Sequence, residues 1–116
     1  MLHRIALPAL CASLLLLASP AFAADAPFQL TIQNQAFTPG ELAIPAGVKI
    51  ELVVINQDAL PAEFESYDLS REVVVPGHSK AKVFIGPLEP GKYQFFNDFH
   101  PQSVGWIIVT AAAPAG

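Results

Sequence analysis

Sulfur is nearly absent from this chain of 116 residues, which contains one cysteine and one methionine. Both lie near the start of the chain, at Cys11 and Met1. The absence of sulfur after residue 23 excludes disulfide bonds, zinc–thiolate sites, thiol catalysis and thiolate-bound copper from the rest of the chain. Helical periodicity is also missing, because no later segment repeats its apolar residues at helical spacing over three turns.

The beginning of the chain has the pattern of an export signal. A short basic stretch ends at Arg4, an apolar run covers 5–18, and the small-residue motif Ala21–Ala23 follows. This order is typical of a secretory signal peptide and predicts cleavage before Ala24 and a periplasmic mature protein. The alternative is an uncleaved membrane anchor, because the run is near the lower length limit for a span. The expected division is a signal peptide over 1–23, one domain over 24–110 and a flexible tail over 111–116.

Charge is scarce and mostly negative. Loss of Arg4 with the signal peptide leaves five basic residues against ten acidic ones, a formal charge of −5. This balance argues against a nucleic-acid partner, which needs basic patches. The chain has no glycine-rich phosphate loop and no Gly-x-Ser-x-Gly motif. The sequence does not decide between an enzyme and a binding protein.

Proline and glycine divide the mature chain into short segments with strand character. About eight such segments cover 28–33, 41–44, 49–56, 62–67, 71–75, 80–85, 93–97 and 105–110. They predict an all-β, antiparallel sandwich or small barrel, with at most one turn of helix near Tyr67–Ser70. The predicted core residues are Leu30, Ile32, Leu52, Val54, Val83, Ile85, Tyr93, Phe95 and Ile108.

The stretch Tyr93–Trp106 resembles the loop that closes the site of a blue-copper protein, which reads Tyr-x-Phe-x-Cys, then His, then Gly-Met. Here Asn97 stands in the thiolate position and Trp106 in the thioether position, whereas the histidine position is still occupied by a histidine, His100. The frame implies a cupredoxin-like Greek-key β-sandwich of about eight strands. The residues within it argue against a blue electron-transfer site, which needs a soft thiolate.

The whole of 28–110 is similar to the EfeO-type cupredoxin-like domain, the small periplasmic cupredoxin associated with bacterial ferrous-iron permeases. The most specific pieces are Glu63–Ser66 and Phe99–Pro101. The resemblance implies a protein that binds copper and/or iron, acts in iron uptake and assists Fe²⁺ oxidation. It implies membrane iron-permease components and a second periplasmic protein as partners.

The chain departs from this family at expected ligand positions. Many relatives carry histidine at the position of Gln35, and the first histidine of blue-copper proteins falls at or near Ala62. The predicted metal ligands are therefore Glu63, Glu65, Asp98 and His100. One imidazole with two or three carboxylates suits iron, manganese or zinc, and Cu²⁺ less selectively.

Each candidate ligand also has a structural interpretation. Strand alternation places Glu63 and Glu65 on the solvated face, pointing away from an interior site. His100 is also explained as a hydrogen-bonded structural histidine, and Asp98 as an acceptor of backbone N–H groups. Asn97 is expected to hold the loop by hydrogen bonds. The alternative function is a degenerate cupredoxin that serves as a metal-free accessory or interaction module of a permease complex.

Overall fold

The computed structural model describes residues 28–111, which form nine strands and no helix. The strands are β1 (Phe28–Gln33), β2 (Ala36–Thr38), β3 (Glu41–Pro45), β4 (Ile50–Asn56), β5 (Ala62–Ser66), β6 (Arg71–Val75), β7 (Ser79–Ile85), β8 (Gly91–Asn97) and β9 (His100–Thr110). No helix of this part of the chain is therefore long and apolar enough to cross a membrane. The predicted signal peptide and cleavage site lie outside the described residues, as does all of the expected tail except Ala111.

Two sheets form a sandwich, which confirms the predicted fold class. The four-stranded sheet has the order β2-β1-β4-β7, and the five-stranded sheet has the order β3-β9-β8-β5-β6. The prediction of purely antiparallel sheets is wrong, because β1 pairs with β4 and β3 pairs with β9 in parallel. The chain changes sheets between β2 and β3, at Thr38–Gly40, and returns to the first sheet at β4, so both parallel pairs join strands that are not consecutive.

The buried residues follow the period-two alternation of the strands. Seven of the nine predicted core residues are buried, and Tyr93 and Ile108 are only half-buried. On β9 the inward residues are Ile107 and Val109, which continue the face set by the buried Gly105. The prediction of Ile108 as a core residue is therefore wrong by one position. Tyr93 lies near the start of β8, where its hydroxyl donates a hydrogen bond of 2.7 Å to the Glu89 carbonyl.

Three phenylalanines occupy the middle of the core. The ring of Phe95 lies 4.8 Å from that of Phe37 and 5.2 Å from that of Phe64, measured between centroids. Gly105 pairs with Phe95 across β8 and β9, and the Phe95 ring covers the space where a side chain at Gly105 would be. A glycine in the middle of β9 is thus explained by the close approach of an aromatic ring.

The expected turn of helix near Tyr67–Ser70 is a hydrogen-bonded turn that joins β5 to β6. Ser66 stabilises it from within the core, because its hydroxyl accepts a 3.0 Å bond from the Leu69 N–H and donates a 2.6 Å bond to the Gln94 carbonyl. The turn brings β6 back beside β5, so that Glu65 lies opposite Glu72.

Candidate functional site

A cleft of about 340 Å³ lies at one end of the sandwich. Its walls come from the β1–β2 turn, the β4–β5 connection and the end of β8. Gln35, Ala62 and Asn97 all line it. From the resemblance, two histidines and a thiolate are expected at these positions. The structure brings the three positions together, but none of them carries the expected ligand.

The buried Asn97 side chain crosslinks the elements around this cleft. Its Oδ1 atom accepts hydrogen bonds of 3.1 Å from the Glu63 N–H and 3.1 Å from the Phe99 N–H. Its Nδ2 atom donates a 3.4 Å bond to the Gln35 carbonyl. This confirms that Asn97 holds the loop by hydrogen bonds, and it leaves the amide oxygen with no free acceptor site for a metal.

Asp58 is a second organising residue of the cleft and was not among the residues predicted from the sequence. Asn34 and Gln35 form the two-residue β1–β2 turn with positive φ angles of 54° and 67°. This conformation is strained for residues other than glycine. The two carboxylate oxygens of Asp58 each accept a 2.8 Å bond from one of these two N–H groups. Asn34 is of a residue type that tolerates the left-handed conformation and could have indicated the turn, although nothing local pointed to Asp58.

The cleft does not fit thiolate-bound copper. The thiolate position holds an amide that is already hydrogen-bonded, and the first histidine position holds the methyl group of Ala62. Trp106, in the thioether position, follows the inward-facing Gly105 and so lies on the outer face of the sheet. There the Lys92 ammonium group lies 4.5 Å from its ring centroid.

The predicted carboxylates lie on the outer face of the five-stranded sheet. Glu63 and Glu65 point outward from β5, as strand alternation indicates, and Glu72 on β6 joins them. Carboxylate oxygens of these three residues lie within 4.8 Å of one another. Glu72 was not among the ligands predicted from the sequence, because its position opposite Glu65 depends on the β5–β6 register.

Electrostatic repulsion is concentrated in this cluster. The pKa of Glu63 is raised from its ordinary value of 4.5, first by burial and then by the negative charges of Glu72, Glu65 and Asp98. A hydrogen bond between the Glu63 and Asp98 side chains raises this pKa further. The pKa of Glu65 is also raised, by burial and then by Glu72 and Asp98. The ionised forms of Glu63 and Glu65 are therefore disfavoured by the carboxylates around them.

His100 occupies a different position from these carboxylates. It is half-buried at the start of β9 and pairs with Asn97 across the β8–β9 turn. It is not part of the cluster of oxygens formed by Glu63, Glu65 and Glu72. The structure thus brings Glu63, Glu65 and Asp98 close to one another, whereas a site that also includes His100 stays a prediction.

Comparisons with known proteins agree with this architecture. Residues 6–109 match the cupredoxin-like domain family. The chain is 42% identical over 82 residues to the uncharacterized protein RP394 of Rickettsia prowazekii, a match that covers 70% of this chain and 66% of that protein, just under two thirds.

Solved structures with the same fold include a purple cupredoxin from Nitrosopumilus maritimus. Its TM-score is 0.56 at 22% identity, over 72% of this chain and 99% of that chain. An oxidized single-substitution mutant of amicyanin has a TM-score of 0.61 at 19% identity, over 78% of this chain and 88% of that chain. At this level of identity the two likenesses show the fold alone.

The class defined by the fold and the cleft is a β-sandwich of the cupredoxin type in which the cleft positions Gln35, Ala62 and Asn97 carry none of the expected histidine and thiolate ligands. By its sequence match, the chain belongs to the cupredoxin-like domain family.

Proposed function

We propose that this protein is a periplasmic, cupredoxin-like metal-binding protein whose cation is held by carboxylates on the outer face of the five-stranded sheet. The observation that carries the proposal is the convergence of Glu63, Glu65 and Glu72 oxygens within 4.8 Å. Glu63 is only 9% exposed, yet its charged neighbours are carboxylates. Among residues 28–111, the salt bridge between a basic and an acidic side chain is Lys82–Glu51, which lies on the four-stranded sheet and not at this cluster. A divalent cation would supply the missing positive charge.

The chemistry of these ligands favours a hard cation. Carboxylate oxygens suit Mn²⁺ and iron better than the softer copper ions, although Cu²⁺ binds most sets of nitrogen and oxygen ligands tightly. The EfeO-type resemblance supports a role in iron uptake, in which the protein assists the oxidation of Fe²⁺. The same resemblance supports membrane iron-permease components and a second periplasmic protein as partners. The export-signal pattern over 1–23 supports the periplasmic location.

Calorimetry on the mature chain tests the metal site. Mn²⁺, Fe²⁺ under anaerobic conditions and Cu²⁺ are each titrated into the protein, and one saturable site is expected. The double substitution Glu65→Gln/Glu72→Gln should lower affinity about tenfold or more, because it removes two of the three clustered charges. Glu51→Gln is the matched control, since it removes an outer-face glutamate from the opposite sheet and should leave affinity unchanged.

The pH dependence gives a second readout of the same site. Because Glu63 and Glu65 have raised pKa values, protons compete with the cation at a higher pH than they do for an ordinary glutamate. Affinity should therefore fall as the pH is lowered toward the ordinary glutamate range. His100→Ala tests the fourth predicted ligand: a tenfold loss, roughly, supports it, and unchanged affinity limits the site to carboxylates. Absence of saturable binding for all three cations would refute the proposal.

A metal-free accessory module is the second candidate function. The hydrogen bonds of Asn97 favour it, because the interior of the sandwich is held together without a metal ligand at the thiolate position. Large apolar side chains on the surface, such as Tyr67 at 74% exposed and Phe99 at 52% exposed, offer contact area for a partner. Co-purification of permease components with the mature chain, unaffected by Glu65→Gln/Glu72→Gln, would support this role.

A further inference from the structure

Polar side chains link the four loops at the cleft end of the sandwich. These loops are the β1–β2 turn, the β4–β5 connection, the β6–β7 turn and the β8–β9 turn. The side chains are those of Asn56, Asp58 and Asn97. Asn56 and Asn97 each bond to backbone groups of at least two segments, and the Asp58 carboxylate bonds to both N–H groups of the β1–β2 turn. This network holds the loops at fixed positions. A bound metal has the same effect when its ligands come from separate loops.

Asn56 ties the middle of the network together. It is 1% exposed, and its Nδ2 atom lies 2.8 Å from the Leu60 carbonyl, 3.1 Å from the Val75 carbonyl and 3.3 Å from the Pro76 carbonyl. Its Oδ1 atom accepts a 2.9 Å bond from the Asp58 N–H. The β4–β5 connection is thereby fixed against the end of β6.

Asp58 extends the network in two directions. Its carboxylate accepts the N–H groups of Asn34 and Gln35 from the β1–β2 turn, at 2.8 Å each. Its backbone carbonyl accepts a 2.8 Å bond from the His78 N–H in the β6–β7 turn. The carbonyl of Gln35 then accepts the bond from Asn97, which closes the path from one side of the cleft to the other.

We infer that the cleft corresponds to a metal site whose ligands have been lost. The hydrogen bonds of the Asn97 side chain replace the crosslinks that a coordinated metal would make, so this end of the molecule is organised without copper. Three positions expected to carry metal ligands, Gln35, Ala62 and Asn97, meet in the cleft. Asn97 bonds to the β1–β2 turn, to β5 and to its own loop, which are the segments that carry those positions. The inference does not rest on the proposed carboxylate site, which uses other side chains.

Thermal unfolding of the mature chain tests this inference. The test uses the Glu65→Gln/Glu72→Gln background, because a cation at the proposed carboxylate site of wild-type protein would itself respond to EDTA and Cu²⁺. In this background the protein should unfold at the same temperature with and without EDTA, and an equimolar amount of Cu²⁺ should not raise that temperature. In that background, a fall in Tm caused by EDTA would overturn the inference. Since this arm leaves Asn97 intact, it remains decisive if Asn97 variants do not fold.

Amide hydrogen exchange tests the role of Asn97 directly. Asn97→Ala should raise the exchange rates of the Glu63 and Phe99 amides about tenfold or more, because both amides donate to Oδ1 of Asn97. Ser66→Ala is the matched control, since Ser66 is as buried as Asn97 on the same sheet but outside this network. It should leave both amides protected. Equal protection in Asn97→Ala and wild-type protein would contradict the inference.

Restoring two ligands tests whether the cleft corresponds to a metal site whose ligands have been lost. Ala62→His/Asn97→Cys returns an imidazole and a thiolate to neighbouring walls of the cleft. Titration with Cu²⁺ or Co²⁺ should then produce a thiolate-to-metal absorption band and a rise in Tm that Asn97→Cys alone does not give. No band in the folded double variant would overturn the assignment of the cleft as a former metal site. This outcome would leave the calorimetric test of the carboxylate cluster unaffected.

Discussion

Replacing Gly105 by alanine is expected to destabilise the protein, because the new methyl group would enter the space held by the Phe95 ring. Two ring carbons of Phe95 lie closer to the ideal Cβ position than real contacts allow, and the Gly40 carbonyl oxygen lies 3.1 Å from it. Phe95 is fully buried and cannot move aside freely, since Phe37 and Phe64 enclose it at centroid distances of 4.8 Å and 5.2 Å.

Two opposing effects determine the magnitude. Alanine restricts the unfolded chain more than glycine does, which stabilises the folded state by about 0.4–1 kcal/mol where the backbone is compatible. Gly105 meets that condition, because it is not among the residues with positive φ. Overpacking of a close-packed core costs about 1–3 kcal/mol. Overpacking therefore wins, and we expect a net loss of about 1–2 kcal/mol, or roughly 4–16 °C in Tm for a domain of this size.

Urea unfolding followed by the fluorescence of Trp106 measures this loss. A double-mutant cycle identifies its cause: Phe95→Leu makes room, so Gly105→Ala should cost less in the Phe95→Leu background than in wild-type protein. A coupling energy of about 1 kcal/mol is expected for residues in direct contact. Additive effects of the two substitutions, or a Gly105→Ala variant as stable as wild type, would refute the packing argument.

Further predictions concern the charges, the cleft and the ends of the chain. A carboxyl group with a raised pKa binds protons more tightly in the folded state, so its contribution to stability falls as pH rises from the ordinary value of 4.5 through the raised pKa. Metal-free Glu63→Gln should therefore lose less stability than wild type as the pH rises from the ordinary value of 4.5 toward neutrality, as thermal unfolding would show; a parallel loss would contradict this. Asp58→Ala should cost about 1–3 kcal/mol in urea unfolding, because it removes the two hydrogen bonds from the Asn34 and Gln35 N–H groups; a cost within about 0.5 kcal/mol would exclude this role. Intact-mass spectrometry of protein exported to the periplasm should show a chain beginning at Ala24 or within one residue of it, and retention of the leader would exclude cleavage. Copper-loaded mature protein should lack an intense thiolate-to-copper band, and a strong blue colour would contradict the proposed processing.

The fold could be predicted from the sequence because alternation, turn residues and the Tyr93–Trp106 frame all indicate a sandwich. The two parallel pairings could not, because no local pattern shows that β3 leaves the sheet of β1 and β2. The inward face of β9 was assigned incorrectly because Ile107 and Ile108 are equally apolar. Only the packing of Gly105 against Phe95 decides between them.

The candidate site was predictable only in part, for a similar reason. Strand alternation correctly indicated that Glu63 and Glu65 face outward. Glu72 joins them through a cross-strand pairing that requires the β5–β6 register to be known. Asp58 acts on a turn that lies 23 and 24 residues earlier in the sequence, through contacts that only the folded chain creates. Long-range hydrogen bonds of this kind leave no periodic signal in a sequence.

The central position of the last strand determines when a newly synthesised molecule can fold. β9 lies between β3 and β8, and β3 has no other partner in its sheet. Glu41 pairs with Trp106, so an early segment must wait for the end of the domain to leave the ribosome before it can join the sheet. Such non-local pairing makes folding slow. A nascent chain without β9 therefore leaves β3 unpaired, and β3 can join the five-stranded sheet only after residues 100–110 have been made.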